Sequence, residues 1–455
     1  MSVSNSGARV PRLFGTDGVR GVAGHYPLDH ATVRRLGAAL VRALPDGRGA
    51  SHLLIGRDTR ESGVWIEQEL AHGANGEGAR VTSVGVVPTP AVAYLTRANA
   101  EFDAGVVISA SHNPYQDNGI KVFSGKGEKF TEAVEREVEA IVADTSWDVR
   151  GGSASEVARA DLVDAYLDHL CVIFPERARL GRFRLGIDCA NGATTTVAPR
   201  LFESLDVDTV VIGDRPDGRN INLDCGSTHP EQLAKLVVDK ECDMGVAFDG
   251  DGDRAIFVDH RGHVVDGDAV LLMCGAYLQR ENRLAGNAIV ATVMSNIGLE
   301  LALKPLGIDL VRCAVGDKYV MEEMLKRGLS LGGEQSGHII FSDYLFTGDG
   351  LCTALNVLRV VGLSGRRLAD LASDLTTYPQ VLLNVRVREK AELKGVPAIA
   401  DAISRVESRV AGQGRLLVRY SGTEPLLRVM LEGRDRDEIH AWAQEIVDVV
   451  REHLG

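Results

Sequence analysis

The sequence predicts an α/β protein built from several domains. Short apolar runs alternate with helical patterns along most of the chain, and many of these runs end in turn-forming residues. In residues 378–455 the order of apolar runs and helical patterns is different. A chain of 455 residues is too long for one hydrophobic core, because domains commonly hold about 150 residues. Length alone favours three domains, with two or four as the nearest alternatives.

Seven apolar runs have the composition of buried strands. They lie at 52–58, 79–87, 104–110, 184–190, 244–250, 287–293 and 309–315. Helical periodicity occurs at 28–44, 131–143 and 159–170, and the first two of these segments have candidate N-caps in Asp29 and Thr131. This alternation predicts doubly wound, parallel or mixed sheets rather than a β-sandwich or a helix bundle.

Breaks between these elements divide the chain into four predicted domains. The domains span 1–165, 166–264, 265–377 and 378–455. In each of the first three, a strand leads into an unusual loop, so these three domains are predicted to be related α/β units. The last domain carries two predicted strands with helices near 397–410 and 436–453, which predicts a smaller α+β domain.

Composition excludes several classes of protein. Hydrophobic residues make up 45% and charged residues 25%, which rules out a mainly disordered chain. A net charge of −13 disfavours general nucleic-acid binding. The seven Cys form no C-x-x-C pair, so we expect reduced thiols rather than disulfides or a zinc site. The N-terminus lacks an apolar signal region, and no run approaches the ~18 residues of a membrane helix. We therefore expect a cytoplasmic protein without membrane contact.

The strongest chemical signal is the loop DGDGDR at 249–254. An apolar strand leads into three carboxylates at alternate positions, which repel one another unless a cation neutralises them. Oxygen ligands without His or Cys favour Mg²⁺ or Ca²⁺. A calcium-binding EF-hand loop starting at Asp249 would need Gly and Glu where Arg254 and His260 stand, so that alternative fails. Arg254 could clamp a phosphate oxygen beside the metal.

A second strand opens into the loop SASHNPYQDNGIK at 109–121. Ser111, just beyond the strand, could act as a nucleophile or phosphate acceptor. No Gly-x-Ser-x-Gly pattern surrounds it, so acyl transfer has no support. Lys121, at the end of the segment, is either a surface lysine or a proton-handling group near the serine.

Two further loops suit a sugar phosphate. In LGGEQSGH (331–338), a carboxylate, a hydroxyl and an imidazole alternate within a Gly-flanked turn, a pattern suited to sugar hydroxyls. In VRYSGTEPLLRVMLEG (418–433), hydroxyls and a glycine lie between two arginines, as in a phosphate cradle. The residues concerned are Glu334, Ser336 and His338 in the first loop, and Arg419, Ser421, Gly422, Thr423 and Arg428 in the second. Arg20 in LFGTDGVRG and Arg57 in LIGRDTR are either structural ion-pair partners or additional cations for the site.

Together these loops resemble those of the α-D-phosphohexomutase family over nearly the whole chain. SASHNP, DGDGDR, GEQSGH and SGTEP occur in the family's order, and Gln335 and the GTDGVRG loop are most similar to its branch acting on glucosamine phosphates. Tyr115 and Val122 depart slightly from the usual pattern. The resemblance implies three related α/β domains with mixed sheets and a smaller C-terminal α+β domain around a central cleft.

The resemblance also implies roles for individual residues. Ser111 would carry a phosphoryl group, and one Mg²⁺ per subunit would be bound by Asp249, Asp251, Asp253 and an oxygen of Ser111. Lys121 and His338 would be the acid/base candidates, and Arg20, Arg57, His112 and Arg254 would support charge at the phosphoserine. Glu334 and Ser336 would bind sugar hydroxyls, while Arg419, Ser421, Gly422, Thr423 and Arg428 would hold the non-reacting phosphate.

The implied reaction interconverts glucosamine 6-phosphate and glucosamine 1-phosphate. A hexose 1,6-bisphosphate would be both intermediate and activator, and the product would feed UDP-N-acetylglucosamine and cell-wall precursor synthesis. The implied partners are small sugar phosphates, and the implied state is a monomer or a homodimer. Three alternatives remain at this point: a phosphoglucomutase/phosphomannomutase, a Mg²⁺-dependent sugar phosphatase, and a non-catalytic sugar-phosphate sensor.

Overall fold

A computed structural model describes residues 12–44, 51–149, 157–421 and 425–455. These residues form two compact units. The larger comprises the described residues up to Met294 together with Ile308–Ser373, and the smaller comprises Ser295–Gly307 together with the described residues from Asp374 to Gly455. No helix among the described residues is long and apolar enough to cross a membrane.

The first sheet of the larger unit is mixed and has seven strands. Its strands are β1 (Phe14–Gly15), β2 (Gly18–Val22), β3 (His52–Arg57), β4 (Arg80–Val86), β5 (Ala104–Ile108), β6 (Asp117–Ser124) and β7 (Ala158–Arg159). The helices around it are α1 (His30–Ala43), α2 (Gly63–Gly76), α3 (Thr89–Ala98), α4 (Glu132–Ala143) and α5 (Val163–Cys171). The strand order is β1-β2-β6-β5-β3-β4-β7, and only β5, β3, β4 and β7 pair in parallel.

The second sheet has five strands in a mixed arrangement. Its elements are β8 (Arg184–Asp188), α6 (Ala198–Ser204), β9 (Asp208–Ile212), α7 (Glu231–Asp239), β10 (Met244–Phe248), β11 (Ala255–Asp259) and β12 (Val264–Val265). The strand order is β12-β11-β10-β8-β9, so β10 is central, and β8 lies between β10 and β9 and is parallel to both. Short 3₁₀ segments occur at Arg177–Leu180 and Ala193–Thr196.

The third sheet of the larger unit has four strands, and its first helix precedes them in the chain. Its elements are α8 (Gly267–Arg280), β13 (Ala288–Thr292), β14 (Asp309–Cys313), α10 (Asp317–Arg327), β15 (Leu331–Gly333), β16 (Ile339–Phe341), α11 (Gly350–Ser364) and α12 (Leu368–Ala372). The intervening α9 (Ile297–Leu303) belongs to the smaller unit. The strand order is β14-β13-β15-β16, with only the last pair antiparallel.

The smaller unit contains a three-stranded antiparallel sheet. Besides α9, its elements are β17 (Gln380–Arg386), α13 (Pro397–Val410), β18 (Arg415–Tyr420), β19 (Leu426–Glu432) and α14 (Arg436–Leu454). The strand order is β17-β19-β18. The sequence predicted two strands here, and that number was too low. The central strand β19 pairs with β17 on one side and with β18 on the other, so the apolar run at Gln380–Arg386 is the third strand.

Most elements predicted from the sequence are confirmed. All seven apolar runs contain strands, and the Asp29 side chain caps α1 by accepting the Thr32 N–H at 3.0 Å. The predicted start of the helix at 159–170 was wrong, because Ala158–Arg159 form β7 and pair with β4. Backbone pairing at this sheet edge overrides a weak local helical pattern. The predicted class of several mixed α/β sheets with a smaller α+β part is confirmed.

Candidate active site

Three carboxylates cluster where β10 ends. Asp249, Asp251 and Asp253 are buried, and their potential ligand atoms lie within 4.8 Å of one another. Gly250 allows this loop to approach the serine loop closely, since a Cβ there would lie 2.6 Å from the Ser111 carbonyl oxygen. The alternation of Asp and Gly in the sequence therefore produces a convergent acidic cluster against a second loop.

The electrostatics of this cluster fit a divalent cation. Burial, followed by repulsion from Asp253 and Asp251, raises the pKa of Asp249 well above its usual range. Among the described residues, Asp251 Oδ1 and Asp253 Oδ1 are buried without a hydrogen-bond partner. A hard cation would use these oxygens and reverse the repulsion, and an all-oxygen ligand set favours Mg²⁺ or Ca²⁺.

Ser111 lies directly against this cluster. Its Oγ donates a hydrogen bond to Asp249 Oδ2 at 2.5 Å. Its φ of +52° is in the left-handed region, which a serine adopts only when its surroundings enforce it. His112 Nδ1 lies 3.2 Å from the same hydroxyl, and burial, Arg254 and Arg20 lower the His112 pKa to about 4. The serine hydroxyl thus has an acidic and a basic neighbour.

A fully buried network holds the backbone of the serine loop. The Arg60 guanidinium pairs with Asp58 and donates hydrogen bonds to the carbonyl oxygens of Ser111 at 3.2 Å and Asn113 at 2.5 Å. The Ser109 hydroxyl donates to Asp58 and accepts the Ser111 N–H at 3.0 Å. Asp58, Arg60 and Ser109 are all completely buried. These contacts fix both sides of the strained serine.

The sequence drew attention to Arg57 in this loop and missed Arg60. The Arg57 side chain pairs with Glu67, with Nε 3.2 Å from Oε2. Its predicted role in supporting charge at Ser111 stays a prediction. Arg60 stands three positions later in the same LIGRDTR run, and no local pattern separates the two arginines. Only the course of the backbone after β3 shows which guanidinium reaches the serine loop.

Lys121 is a buried ammonium surrounded by carboxylates. Its Nζ lies 2.8 Å from Asp251 Oδ2, 3.1 Å from Asp253 Oδ2 and 2.9 Å from Asp17 Oδ2. Burial acts to lower the pKa of Lys121, but these carboxylates outweigh it and raise the pKa well above its usual value. Asp17 also pairs with Arg20 at 2.5 Å. The sequence identified Lys121 and Arg20 but not Asp17, which holds both.

A cavity of about 410 Å³ opens beside these groups. The residues lining it come from the β1–β2 region, from the serine and metal loops, and from the third sheet. They are Leu13, Gly15, Thr16, Asp17, Gly18, Arg20, His112, Asp253, Arg254, Val315, Gly316, Asp317, Glu334 and His338. The volume and the charged lining suit a small phosphorylated ligand.

The predicted sugar loop contributes two buried groups to this cavity. Glu334 Oε1 accepts the Gly316 N–H at 3.1 Å. The Gly348 N–H donates to His338 Nε2 at 3.1 Å, so neutral His338 carries its hydrogen on Nδ1, which lies 3.6 Å from Asp253 Oδ1. Ser336 is exposed and is not among the lining residues.

The predicted phosphate loop belongs to the smaller unit. Arg419 and Arg428 stand directly opposite each other in the β18–β19 pair, so their side chains share one face of the sheet. Lys390 Nζ donates to the Ser421 carbonyl oxygen at 2.6 Å and adds a third cation, which the sequence analysis missed. Gly422 and Thr423 lie outside the described residues. Two guanidinium-bearing side chains on one face of the sheet suit an anionic ligand.

The described fold and site define an α/β protein whose serine and carboxylates suit phosphoryl transfer. Four family models match it, described as phosphoglucomutase/phosphomannomutase alpha/beta/alpha domain I over residues 11–148, domain II over 164–262, domain III over 266–378 and the C-terminal domain over 382–449. The chain belongs to the phosphoglucomutase/phosphomannomutase family.

Curated relatives are similar over nearly their whole length. The phosphoglucosamine mutase of Solibacter usitatus is 51% identical over 444 residues, covering 97% of this chain and 99% of that protein. The phosphoglucosamine mutase of Geobacter sp. strain M21 is 46% identical over 448 residues, covering 98% of each.

Solved structures share the fold at lower identity. A phosphoglucomutase/phosphomannomutase family protein of Burkholderia thailandensis has a TM-score of 0.79 at 24% identity, covering 97% of each chain. An Aspergillus fumigatus N-acetylphosphoglucosamine mutase, in complex with GlcNAc-6P and magnesium, has a TM-score of 0.68 at 19% identity, covering 97% of this chain and 95% of that chain.

Proposed function

We propose that this chain interconverts glucosamine 6-phosphate and glucosamine 1-phosphate through a phosphorylated Ser111 and a glucosamine 1,6-bisphosphate intermediate. The observation that carries the proposal is the Ser111 hydroxyl at 2.5 Å from Asp249 in a buried three-carboxylate cluster beside the cavity. The similarity to curated phosphoglucosamine mutases over nearly the whole chain supports the choice of substrate.

The covalent steps balance as two successive phosphoryl transfers. A hydroxyl of the sugar phosphate attacks the phosphorus of phosphoserine 111, the bond from phosphorus to Ser111 Oγ breaks, and the proton lost by the hydroxyl is delivered to Ser111 Oγ. After the bisphosphate turns round, Ser111 Oγ attacks the other phosphorus, the bond from that phosphorus to the sugar oxygen breaks, and the proton lost by Ser111 is delivered to the sugar oxygen, so the phosphoenzyme is regenerated. Lys121 and His338 are the candidates for these proton transfers.

Asp249, Asp251 and Asp253, with an oxygen on Ser111, would hold Mg²⁺. Bound there, Mg²⁺ would neutralise charge on the transferring phosphoryl group. Arg254 and Arg20 line the cavity and offer further positive charge, and His112 adjoins the serine. Glu334 and Ser336 would select the sugar hydroxyls.

The residues proposed to bind the non-reacting phosphate are in the smaller unit. They are Arg419, Ser421, Gly422, Thr423 and Arg428. Arg419 and Arg428 are directly opposite each other in the β18–β19 pair, and two arginines on one face of the sheet support an anion on that surface. We also propose the four-domain division 1–165, 166–264, 265–377 and 378–455. The separate sheets support it. Three elements depart from it: the first boundary falls inside α5 (Val163–Cys171), β12 extends to Val265, one residue beyond the second boundary, and α9 groups with the smaller unit.

A coupled assay on several hexose 6-phosphates tests the function. We expect the highest kcat/KM with glucosamine 6-phosphate, and intact-mass analysis should find one phosphoryl group on active protein, mapped to Ser111. A higher kcat/KM with glucose or mannose 6-phosphate would move the assignment to that substrate. Release of inorganic phosphate without isomerised sugar would indicate a phosphatase and contradict the proposal.

A further inference from the structure

Two ion pairs connect the first turn of α10 with the N-terminal end of α4. One involves Lys129, just before α4, and the other involves Glu135, in the first turn of α4. Lys129 Nζ contacts Asp317 Oδ2, and Lys318 Nζ lies 2.6 Å from Glu135 Oε2. The adjacent acid and base of α10 therefore each meet an opposite charge. All four side chains are between 9% and 13% exposed, so neither pair is an ordinary solvent-screened surface contact.

These pairs connect two sets of cavity-lining groups. Lys129 Nζ also lies 2.5 Å from Asp17 Oδ1, and Asp17 in turn holds Lys121 and Arg20. On the α10 side, Asp317 lines the cavity itself. The groups proposed to act at the phosphoserine are thus tied through Asp17 and Lys129 to the start of α10.

The backbone just before α10 also contacts the phosphoserine side of the cavity, through the β1–β2 turn. Gly316 has a φ of +130°, and a Cβ there would lie 3.5 Å from Thr16 in the β1–β2 turn. The Gly316 N–H donates to Glu334 Oε1 at 3.1 Å, so a shift of this segment would displace the proposed sugar-binding carboxylate. The ion pairs and this close approach act at the same place.

We propose that Lys129–Asp317 and Glu135–Lys318 form a charge latch that positions the phosphoserine side and the sugar side of the cavity relative to each other during catalysis. The inference rests on the proposed function, since the groups it aligns are those assigned to phosphoryl transfer and sugar binding. Breaking one member of a largely buried pair leaves an uncompensated charge, which favours separation of the two segments. Lys129, Glu135, Asp317 and Lys318 are positioning residues.

The Glu135–Lys318 pair allows a charge-reversal test, because neither residue is among the cavity-lining residues. We expect Glu135→Lys and Lys318→Glu each to lower kcat/KM roughly tenfold, a coupling of the size measured for contacting charges. The double reversal Glu135→Lys/Lys318→Glu should return kcat/KM to within about threefold of the wild-type value. Arg327→Glu, which breaks an exposed pair with Glu323 on the same helix, is the matched control and should leave kcat/KM unchanged.

Urea unfolding and amide hydrogen exchange separate positioning from stability. A latch predicts faster exchange at residues 315–318 in each single reversal and wild-type exchange in the double reversal. If a single reversal does not fold, Glu135→Gln and Lys318→Gln replace it. Wild-type kcat/KM in folded single variants would overturn the latch, and so would a folded double reversal that recovers neither kcat/KM nor exchange. If the wild type fails on glucosamine phosphates, the proposed function fails, but the exchange measurement still tests the latch.

Discussion

Replacing Arg60 with Met should uncouple the serine loop from its support. Arg60 is completely buried and its guanidinium donates to four acceptors: the Asp58 carboxylate, the Ser109 hydroxyl and the carbonyl oxygens of Ser111 and Asn113. Methionine retains much of the side-chain volume but donates no hydrogen bond. The change therefore leaves a buried carboxylate without its cation and frees the backbone on both sides of Ser111.

The expected magnitudes follow from these contacts. Removing one partner of a buried ion pair costs about 3–5 kcal/mol, and native domains are stable by about 5–15 kcal/mol, so the variant should remain folded at 25 °C. Displacing the nucleophile by about 1 Å can lower the rate roughly 100-fold. We therefore expect Arg60→Met to lower kcat about 100-fold and the free energy of unfolding by about 3–5 kcal/mol.

Arg57→Met is the matched control, because Arg57 is the last residue of β3, three positions before Arg60, but pairs with Glu67. We expect the free energy of unfolding to fall by about 1.5–3 kcal/mol, as for a hydrogen bond to a charged group, and kcat to stay within about threefold of wild type. The assay is kcat from the coupled mutase reaction, with urea unfolding measured on the same preparations. Wild-type kcat in folded Arg60→Met would refute the reasoning. An equal loss in Arg57→Met would instead support the role predicted for Arg57 at the phosphoserine.

Four further measurements test the site and its surroundings. Ser111→Ala should abolish mutase activity and the phosphoryl mass on the protein while leaving circular dichroism unchanged, and full activity in that variant would exclude the covalent step. Asp251→Asn should raise the Mg²⁺ concentration needed for half-maximal rate, and chelation followed by Mg²⁺ should restore wild-type activity; full turnover in excess chelator would contradict the metal site. Arg428→Ala should lower forward and reverse rates alike by roughly 10- to 150-fold, the equivalent of a charge-assisted contact, and a one-directional effect would contradict phosphate binding there. Burial raises the pKa of Asp349 from 3.8 to about 6, so its charging disfavours the folded state. The neutral carboxyl of Asp349 therefore stabilises the folded state, and this stabilisation is fully present below pH 3.8. At 1.36 kcal/mol per pKa unit, about 3 kcal/mol of it is lost as the pH rises through 6. Asp349→Asn should reduce this pH dependence in urea titrations between pH 4 and 7, whereas an unchanged slope would show that Asp349 is not its source.

Sequence analysis identified the elements that a pattern of consecutive residues specifies. Strands such as β10 are continuous apolar runs buried on both sides, and the acidic loop after β10 has a spacing that few structural roles require. By contrast, β6 begins with Asp117, Asn118 and Gly119, a polar run typical of a turn, and was not predicted. It forms a strand because β2 and β5 pair with it from both sides, which is a tertiary effect.

The latch pairs could not have been predicted in the same way. Lys129 and Asp317 are 188 positions apart, and a lysine after a hairpin or an aspartate in a first helical turn is ordinary in its own surroundings. Lys318 carries the one local hint. It lies in the first turn of α10, where the helix dipole disfavours a cation. The Glu135 carboxylate at 2.6 Å offsets that unfavourable position. A cation at a helix N-terminus therefore indicates that an anion is required nearby, but the sequence does not tell which of its 63 acidic residues supplies it.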